Sequence, residues 1–214
     1  MAPAPATCPP RPPARLPGAA AIGAALGGLL TRRTRLILTE RALRAAVLLV
    51  LYDEGDAPYL VLTKRTETVA HPGQISLPGG RFEPADATLR ATALRETEEE
   101  IGVPARALRV VGQLDDVHTI ASGYVISPFV AVLDGRFAAT PADDEVALVI
   151  EIPVADLLAA DARLPADVAP LQLRYPLADE DVWGATARIL RNFSRLTRCA
   201  LAVGGVSRAA APPL

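Results

Sequence analysis

The sequence of 214 residues contains few of the residue types that several kinds of binding site require. Two histidines and two cysteines are too few for a His-rich metal site. Cys8 and Cys199 have no zinc-ligand spacing and form no disulfide framework, so we expect a reducing, cytoplasmic compartment. Aromatic residues make up 4% of the chain and the formal net charge is −2. Neither base stacking nor electrostatic attraction therefore favours a nucleic-acid partner.

The chain also lacks an apolar segment long enough for a membrane span. The uncharged residues 16–30 are too few and too rich in glycine, so no membrane partner is expected. No acidic residue precedes Glu40, whereas arginines are present, as in targeting peptides. The same segment has no serine and no clear small-residue cleavage site. We expect a Pro-rich start and a short helix lying on the domain, with a processed leader as the alternative.

What the chain does contain is enough apolar sequence for one sizeable core. Half of its residues are hydrophobic, and its length suits a single domain with appended segments. We predict a Pro/Ala/Arg-rich N-terminal segment at residues 1–40, the functional domain at residues 41–204 and a frayed tail at residues 205–214. The sequence does not determine the oligomeric state, and a homodimer is left open.

The hydrophobic pattern predicts strands in runs with helices between them. Apolar runs at residues 45–52 and 59–65 flank a turn and predict a β-hairpin. An amphipathic helix is predicted over residues 182–201, where the position of Trp183 favours core packing over stacking on a base. Further strands are predicted within residues 106–117, 124–133 and 145–153. This order predicts an α/β fold with a mixed β-sheet flanked by helices.

A glutamate-rich helix is the most specific feature of the sequence. Residues 66–80 are typical of a loop, and a helix is predicted from about Ala85 to Ile101, with Asp86 as a candidate cap and Gly102 at its end. Each helical residue advances by about 100°. Glutamates 96, 99 and 100 then share one arc, whereas Glu98 faces away.

Three carboxylates on one face of a helix repel one another unless a positive charge lies between them. They form a hard oxygen site of the kind that binds Mg²⁺ or Mn²⁺, and Arg95 is a natural ion-pair partner for one of them. Taken alone, such a charge run is more typical of a solvated helix face. The metal-site interpretation is favoured by Gly79 and Gly80, because a tight turn just before the helix allows loop and helix to form one pocket.

The stretch "GGRFEPADATLRATALRETEEEIGV", residues 79–103, resembles the Nudix box, the signature of hydrolases of nucleoside diphosphates linked to another group. Arg95, Glu96, Glu99, Glu100 and Gly102 fill its second half, and a threonine takes the apolar position that follows Glu96. The spacing between glycine and arginine is one residue longer than in the common form. Aspartate also replaces the usual glutamate at position 86.

The longer, aspartate-bearing box resembles that of the coenzyme A pyrophosphatase branch. The flanking segments "VLTKRT", "HPGQISLPGG", "SPFVAVL" and "WGATARIL" are also similar to that branch, so the resemblance covers residues 45–196. The branch signature has an arginine where this chain has Ala70, and Leu77 replaces a phenylalanine. These departures leave a second substrate class open, ADP-ribose or another nucleoside diphosphate derivative. A non-catalytic nucleotide-binding module is the third hypothesis.

The resemblance implies a Nudix fold, an α/β/α sandwich, and a divalent-metal-dependent hydrolase. Glu96, Glu99 and Glu100 would be the ligands of Mg²⁺ or Mn²⁺. The substrate would be a small nucleoside diphosphate compound, with coenzyme A first, split into 3′,5′-ADP and 4′-phosphopantetheine. Expected catalytic residues are Glu99, Arg95 and Glu145, the last as a further ligand or base, although Glu145 is more simply a surface acid.

Three further sets of residues have weaker candidate roles. Gly79, Gly80 and Arg65 are expected to contact the substrate, Arg65 through phosphate or a box carboxylate. His71 is more simply a solvated loop histidine. A second metal site at Asp115, Asp116 and His118 has no known ligand spacing to support it.

Overall fold

The computed structural model describes residues 13, 15–39, 42–67, 72–119, 122–135, 137–142, 144–165 and 167–208, with side chains to residue 203. Ten strands, four α-helices and a short 3₁₀ turn follow one another in these ranges. In chain order they are α1 (Ala19–Leu30), β1 (Leu43–Glu54), β2 (Ala57–Arg65), β3 (Ile75–Ser76), β4 (Gly79–Arg81), α2 (Leu89–Ile101), the 3₁₀ turn (Ala105–Ala107), β5 (Leu108–Gln113), β6 (Val117–His118), β7 (Tyr124–Leu133), β8 (Val146–Pro153), α3 (Val154–Arg163), β9 (Arg174–Leu177), β10 (Glu180–Trp183) and α4 (Gly184–Arg208).

Eight of the strands form one mixed sheet. Its central order is β3-β2-β1-β7-β5, with β4 paired to β1, β6 to β7 and β8 to β2. Strands β1 and β7 run parallel and the other pairs of this sheet are antiparallel. Strands β9 and β10 form a separate antiparallel pair. The predicted hairpin of β1 and β2 is confirmed, and so is the mixed sheet.

Strand β1 is buried on both faces because helices cover the sheet from two sides. Successive strand residues point to opposite faces. Val47, Leu49 and Leu51 accordingly belong to the core that includes α1, α3 and α4. The alternate residues, among them Leu48 and Val50, belong to the second core beneath α2. The α/β/α sandwich expected from the sequence is therefore confirmed.

Helix α1 lies on the first of these cores. Ile22 and Leu26 are fully buried, and a Cβ atom added to Gly23 would lie 2.4 Å from a methyl group of Val132. Gly23, which lies in the segment that is too glycine-rich for a membrane span, thus allows this helix to approach β7 closely. In the described part of the chain, no helix is both long and apolar enough to cross a membrane.

Several predictions near the termini need correction or lie outside the described residues. Helix α4 continues to Arg208, four residues into the segment predicted as a frayed tail. Cys199 is half-buried on α4 and disulfide-bonded. Cys8, Ala70, His71 and residues 209–214 lie outside the described residues. Cytoplasmic location and the limits of the three segments stay predictions.

Candidate functional site

Helix α2 places the glutamates, and its ends are defined by the residues that cap it. The hydroxyl oxygen of Thr88 accepts a hydrogen bond from the N–H of Ala91 at 3.1 Å, so Thr88 is the N-cap. The prediction that Asp86 caps the helix is wrong, and residues 85–88 are not helical. At the other end, Gly102 takes the left-handed conformation with φ of 70°, which confirms the predicted C-terminal glycine.

The four glutamates of α2 have different environments. Glu100 is buried, with 4% of its surface exposed, and the Glu96 side chain is 14% exposed. Glu99 lies at the edge, with 57% of its side chain exposed. Glu98 is exposed and accepts a hydrogen bond from the N–H of Ala105. The predicted division into one inward arc and an outward Glu98 is confirmed, with Glu99 at the solvent boundary.

Strand β4 covers the two buried glutamates with backbone. The loop predicted here is in fact a short strand, in which Gly79 pairs with Val47 of β1. The N–H of Gly79 donates a hydrogen bond to the carboxylate of Glu100 at 3.1 Å. A Cβ atom on Gly80 would lie 2.4 Å from the carboxyl carbon of Glu96, so only glycine leaves room for that carboxylate. The two glycines therefore belong to the same pocket as the glutamates.

Arg95 connects the helix to the segment before it. Its Nε and one terminal nitrogen each lie 3.0 Å from an oxygen of Asp86, which is a bidentate pair. The same guanidinium lies 3.0 Å from Glu96 and 2.8 Å from Glu99. Hydrogen bonds from Arg95 hold the pKa of Asp86 well below its ordinary value. Asp86 also accepts a hydrogen bond from the Thr92 hydroxyl at 2.9 Å, so it fixes the position of Arg95.

Replacing Asp86 by Ala is expected to weaken both the fold and the site. The substitution leaves Arg95 without its bidentate partner, and hydrogen bonds to charged groups contribute roughly 1.5–3 kcal/mol each. We expect the free energy of unfolding to fall by about 1–3 kcal/mol in urea titrations. Asp86→Glu should retain most of the wild-type free energy of unfolding, because the carboxylate is preserved.

Asp56 provides the matched control for this change. Its side chain is 97% exposed, so Asp56→Ala should leave stability within about 0.5 kcal/mol of wild type. Equal urea midpoints for Asp86→Ala and Asp56→Ala would contradict the anchoring role of Asp86.

Burial and mutual repulsion dominate the electrostatics of the cluster. Burial raises the pKa of Glu100 to about 7, partly opposed by the Gly79 N–H, and the charge of Glu96 raises it further. Burial also raises the pKa of Glu96 despite the nearby Arg95. The charge of Glu145 raises both pKa values, and that of Arg65 lowers the pKa of Glu100. The structure thus places Glu145 and Arg65 within electrostatic reach of the glutamates.

This donor set fits a hard divalent cation in charge and in chemical type. Carboxylate oxygens are the ligands that Mg²⁺ prefers, and a cation would relieve the repulsion that raises the two pKa values. In the described ranges no three acidic, histidine or cysteine side chains are already arranged as a metal cage. Ion pairs with Arg95 occupy Glu96 and Glu99. Glu96, Glu99 and Glu100 remain the residues that would hold the cation.

A cavity of about 450 Å³ opens beside the Gly-Gly strand, and the glutamates are not among the described residues that line it. Gly79 and Gly80 line one end, and the junction of β10 with α4 lines the other. Trp183 lines that far end with 44% of its surface exposed, so the prediction of core packing is wrong. Arg65 and Leu77, which the sequence already singled out, also line it.

Sequence reasoning missed several residues that line this cavity. Arg81 directly follows the two glycines, and its guanidinium lies 5.5 Å from the ring centroid of Tyr124. Arg188 interrupts the apolar motif "WGATARIL", which was the only sequence signal for it.

The second metal site considered at Asp115, Asp116 and His118 does not form. Asp116 is buried and paired with Arg35 and Arg44. Asp115 is paired with Arg33 and also accepts a hydrogen bond from Asn192. These aspartates tie Arg33, Arg35 and Arg44 to the domain.

A mixed-sheet α/β/α sandwich with a glutamate helix beneath a Gly-Gly strand is the architecture of one class of hydrolase. The chain belongs to the NUDIX domain family, whose pattern matches residues 42–172. Among curated proteins it is 33% identical to NudL of Yersinia pestis (strain Pestoides F) and of Yersinia pseudotuberculosis serotype O:1b (strain IP 31758). Both are described as uncharacterized Nudix hydrolases, and 158 residues align, 71% of this chain and 78% of theirs.

Solved structures share the fold at low sequence identity. The Nudix hydrolase RenU from M. smegmatis aligns with 81% of this chain and 89% of its own, at 18% identity and a TM-score of 0.50. The C. elegans Ap4A hydrolase in a binary complex aligns with 76% and 98%, at 15% identity and a TM-score of 0.52. Family membership implies a hydrolase that acts on diphosphate bonds, and Nudix hydrolases generally use Mg²⁺ or Mn²⁺.

Proposed function

We propose that the protein hydrolyses the diphosphate of coenzyme A and its derivatives to 3′,5′-ADP and 4′-phosphopantetheine, with Mg²⁺ or Mn²⁺. The observation that carries the hydrolytic part is the position of Glu96 and Glu100 against Gly79 and Gly80, the two glycines that line a cavity. The volume of about 450 Å³ lies in the range typical of small-ligand sites.

Each residue of the cluster has a distinct proposed role. Glu96, Glu99 and Glu100 would hold the cation, which would polarise a phosphoryl oxygen and activate a water molecule when bound. Arg95 orients Glu96 and Glu99 through its ion pairs. Glu145, exposed and within electrostatic reach of the cluster, is the proposed base that takes a proton from the attacking water, with Glu99 as the alternative.

The coenzyme A assignment depends on the aspartate-bearing form of the box. Asp86 is anchored to Arg95 by a bidentate pair, so the longer segment between Gly80 and the helix has a defined structural role. The flanking segments that resemble the coenzyme A branch supply Gln74, Ser76 and Trp183 to the cavity wall.

ADP-ribose or another nucleoside diphosphate derivative is the second candidate substrate class. Its motivation is Ala70, which stands where the coenzyme A branch has an arginine. The third hypothesis, a nucleotide-binding module without turnover, is disfavoured by the burial of Glu96 and Glu100. A module that only bound nucleotide would have no need to keep two repelling carboxylates in its core.

A substrate panel separates these hypotheses. Purified protein with Mg²⁺ is incubated with coenzyme A, ADP-ribose, NADH and diadenosine polyphosphates, and the products are identified by mass. We expect preferential cleavage of coenzyme A to 3′,5′-ADP and 4′-phosphopantetheine. Preferred cleavage of ADP-ribose would establish the second class instead. Ligand binding with no turnover of any compound would favour the third.

A further inference from the structure

The far end of the cavity has its own chemistry, separate from the glutamate cluster. It is formed where Trp183, the last residue of β10, is followed by the first turns of α4. Thr119 and Ser122, which follow β6, line the same region. Gly79 and Gly80, which contact Glu100 and Glu96, line the cavity too, so one ligand can extend from these glycines to this end.

Arg188 is the charged residue of this end, and it has no acidic partner in the described parts of the chain. Its guanidinium donates one hydrogen bond, 2.7 Å long, to the backbone carbonyl of His118. A guanidinium has five N–H donors. Burial lowers the pKa of Arg188, and no nearby carboxylate opposes this effect. Other partly buried arginines, such as Arg35 and Arg95, are paired with aspartate or glutamate.

An unpaired, half-buried guanidinium in a cavity wall is suited to bind an anion of the ligand. Arginine matches phosphate geometry with parallel N–H donors, and such charge-assisted bonds are stronger than neutral ones. The His118 carbonyl fixes one side of the side chain in advance, which lowers the entropy lost on binding.

Trp183 supplies a flat apolar surface next to Arg188. Its ring is 44% exposed, and the guanidinium of Arg174 lies 6.0 Å from the ring centroid. Aromatic side chains stack on nucleobases with little dependence on base identity. Leu171, which is 69% exposed, extends the apolar wall.

We infer that Trp183 and Arg188 form a subsite for a phosphorylated nucleoside, in which Trp183 stacks on the base and Arg188 binds a ribose phosphate distinct from the diphosphate. This inference rests on the proposed function in one respect, since it places the scissile diphosphate at the glutamates. It assigns Arg188 the role of distinguishing nucleotides with this additional phosphate from those without it.

Binding of three adenine nucleotides tests the subsite without any turnover. Calorimetry is used to measure the affinities of adenosine 3′,5′-bisphosphate, adenosine 2′,5′-bisphosphate and AMP for the wild-type protein. We expect one bisphosphate to bind roughly tenfold to a hundredfold more tightly than AMP, because it gains a charge-assisted contact in a partly desolvated site. The position of the preferred phosphate, 2′ or 3′, identifies the class of nucleoside.

Substitutions then assign the preference to Arg188. Arg188→Met keeps the apolar stem and should bind the bisphosphates and AMP with similar affinity, whereas Arg188→Lys should retain part of the preference. Arg109→Met is the matched control, because Arg109 is paired with Asp134 and does not line the cavity. Trp183→Leu should weaken the binding of all three nucleotides alike, by about tenfold.

Equal binding of the bisphosphates and AMP by the wild-type protein would overturn the inference. So would an undiminished preference in Arg188→Met, or the same loss in Arg109→Met. Failure of the proposed function has a different signature. A protein that cleaves ADP-ribose and not coenzyme A would refute that substrate while the bisphosphate preference is still present. Thermal melting of each variant confirms that it is folded.

Discussion

Replacing Glu100 by Gln is expected to reduce diphosphate hydrolysis by at least about a hundredfold. A metal ion acting as a Lewis acid contributes several kcal/mol to transition-state stabilisation, and each 1.36 kcal/mol is a factor of ten in rate. Gln removes the negative charge that would bind the cation, yet its amide oxygen can still accept the hydrogen bond from Gly79. Activity is measured on the preferred substrate of the panel at saturating Mg²⁺.

The matched control for this variant is Glu98→Gln. Glu98 lies on the same helix, two residues away, but is exposed and turned away from the pocket. The Glu98→Gln variant should keep nearly full activity, because the removed charge lies outside the cluster. If Glu100→Gln keeps full activity, or if both variants lose it equally, the assignment of Glu100 as a metal ligand is wrong.

The same substitution is expected to stabilise the metal-free protein at high pH. Burial raises the pKa of Glu100 from an ordinary value of 4.5 to about 7, so the folded state holds its proton more tightly than the unfolded state does. Stability of the wild type therefore falls as pH rises from about 4.5 to about 7, by about 3 kcal/mol at 1.36 kcal/mol per unit. Gln avoids burying this charge and should recover part of that loss.

Urea titrations of chelator-treated protein at pH 5 and pH 8 measure this effect. We expect the wild type to lose more stability than Glu100→Gln when the pH is raised from 5 to 8. Adding Mg²⁺ at pH 8 should restore the stability of the wild type and leave that of the variant almost unchanged. The reason is that ligand binding to the folded state adds to its stability. The same pH dependence in both proteins would contradict the raised pKa.

Replacing Gly80 by Ala is expected to lower activity strongly while largely preserving the fold. The added Cβ atom would lie 2.4 Å from the carboxyl carbon of Glu96, which is the far end of a flexible side chain. The carboxylate can therefore rotate away at small cost, but it then no longer faces the cation. We expect a loss of activity of about a hundredfold, comparable to removal of a ligand, with a melting temperature near that of the wild type.

The adjacent substitution, Gly79→Ala, should show the opposite pattern. Gly79 has φ of +145°, and a Cβ atom there would lie 2.3 Å from the backbone oxygen of Ala46. Strand β4 would have to separate from β1, since backbone cannot rotate away as a side chain can. Strain and overpacking together are expected to cost roughly 2–5 kcal/mol of stability. Urea titration and activity assays of both variants distinguish the two effects.

Gly28→Ala serves as the control for the glycine substitutions. Gly28 lies in α1 with open space around its Cα atom, so alanine should stabilise the helix slightly and leave activity unchanged. If Gly80→Ala is as active as Gly28→Ala, Glu96 is not a ligand of the cation. Unfolding of Gly80→Ala at normal temperatures would show that this glycine serves the fold instead.

Local periodicity made most of the secondary structure predictable. Short apolar runs predicted β1 and β2, and the predicted strand over residues 124–133 coincides with β7. The start of α2 was misplaced by four residues because both Asp86 and Thr88 are good capping residues. In the structure Thr88 caps the helix, whereas Asp86 forms the bidentate contact with Arg95, nine positions along the chain.

The sequence by itself determined that three glutamates of one helix share a face with Arg95 at its side and that Glu98 is excluded from it. This follows from the helical repeat of 3.6 residues, which relates neighbours within one element. Tertiary structure alone placed Gly80 against Glu96, brought Glu145 near the cluster and exposed Trp183 beside Arg188. These contacts depend on how strands pair and how α4 packs against the sheet, because residues of different elements meet only when the chain is folded.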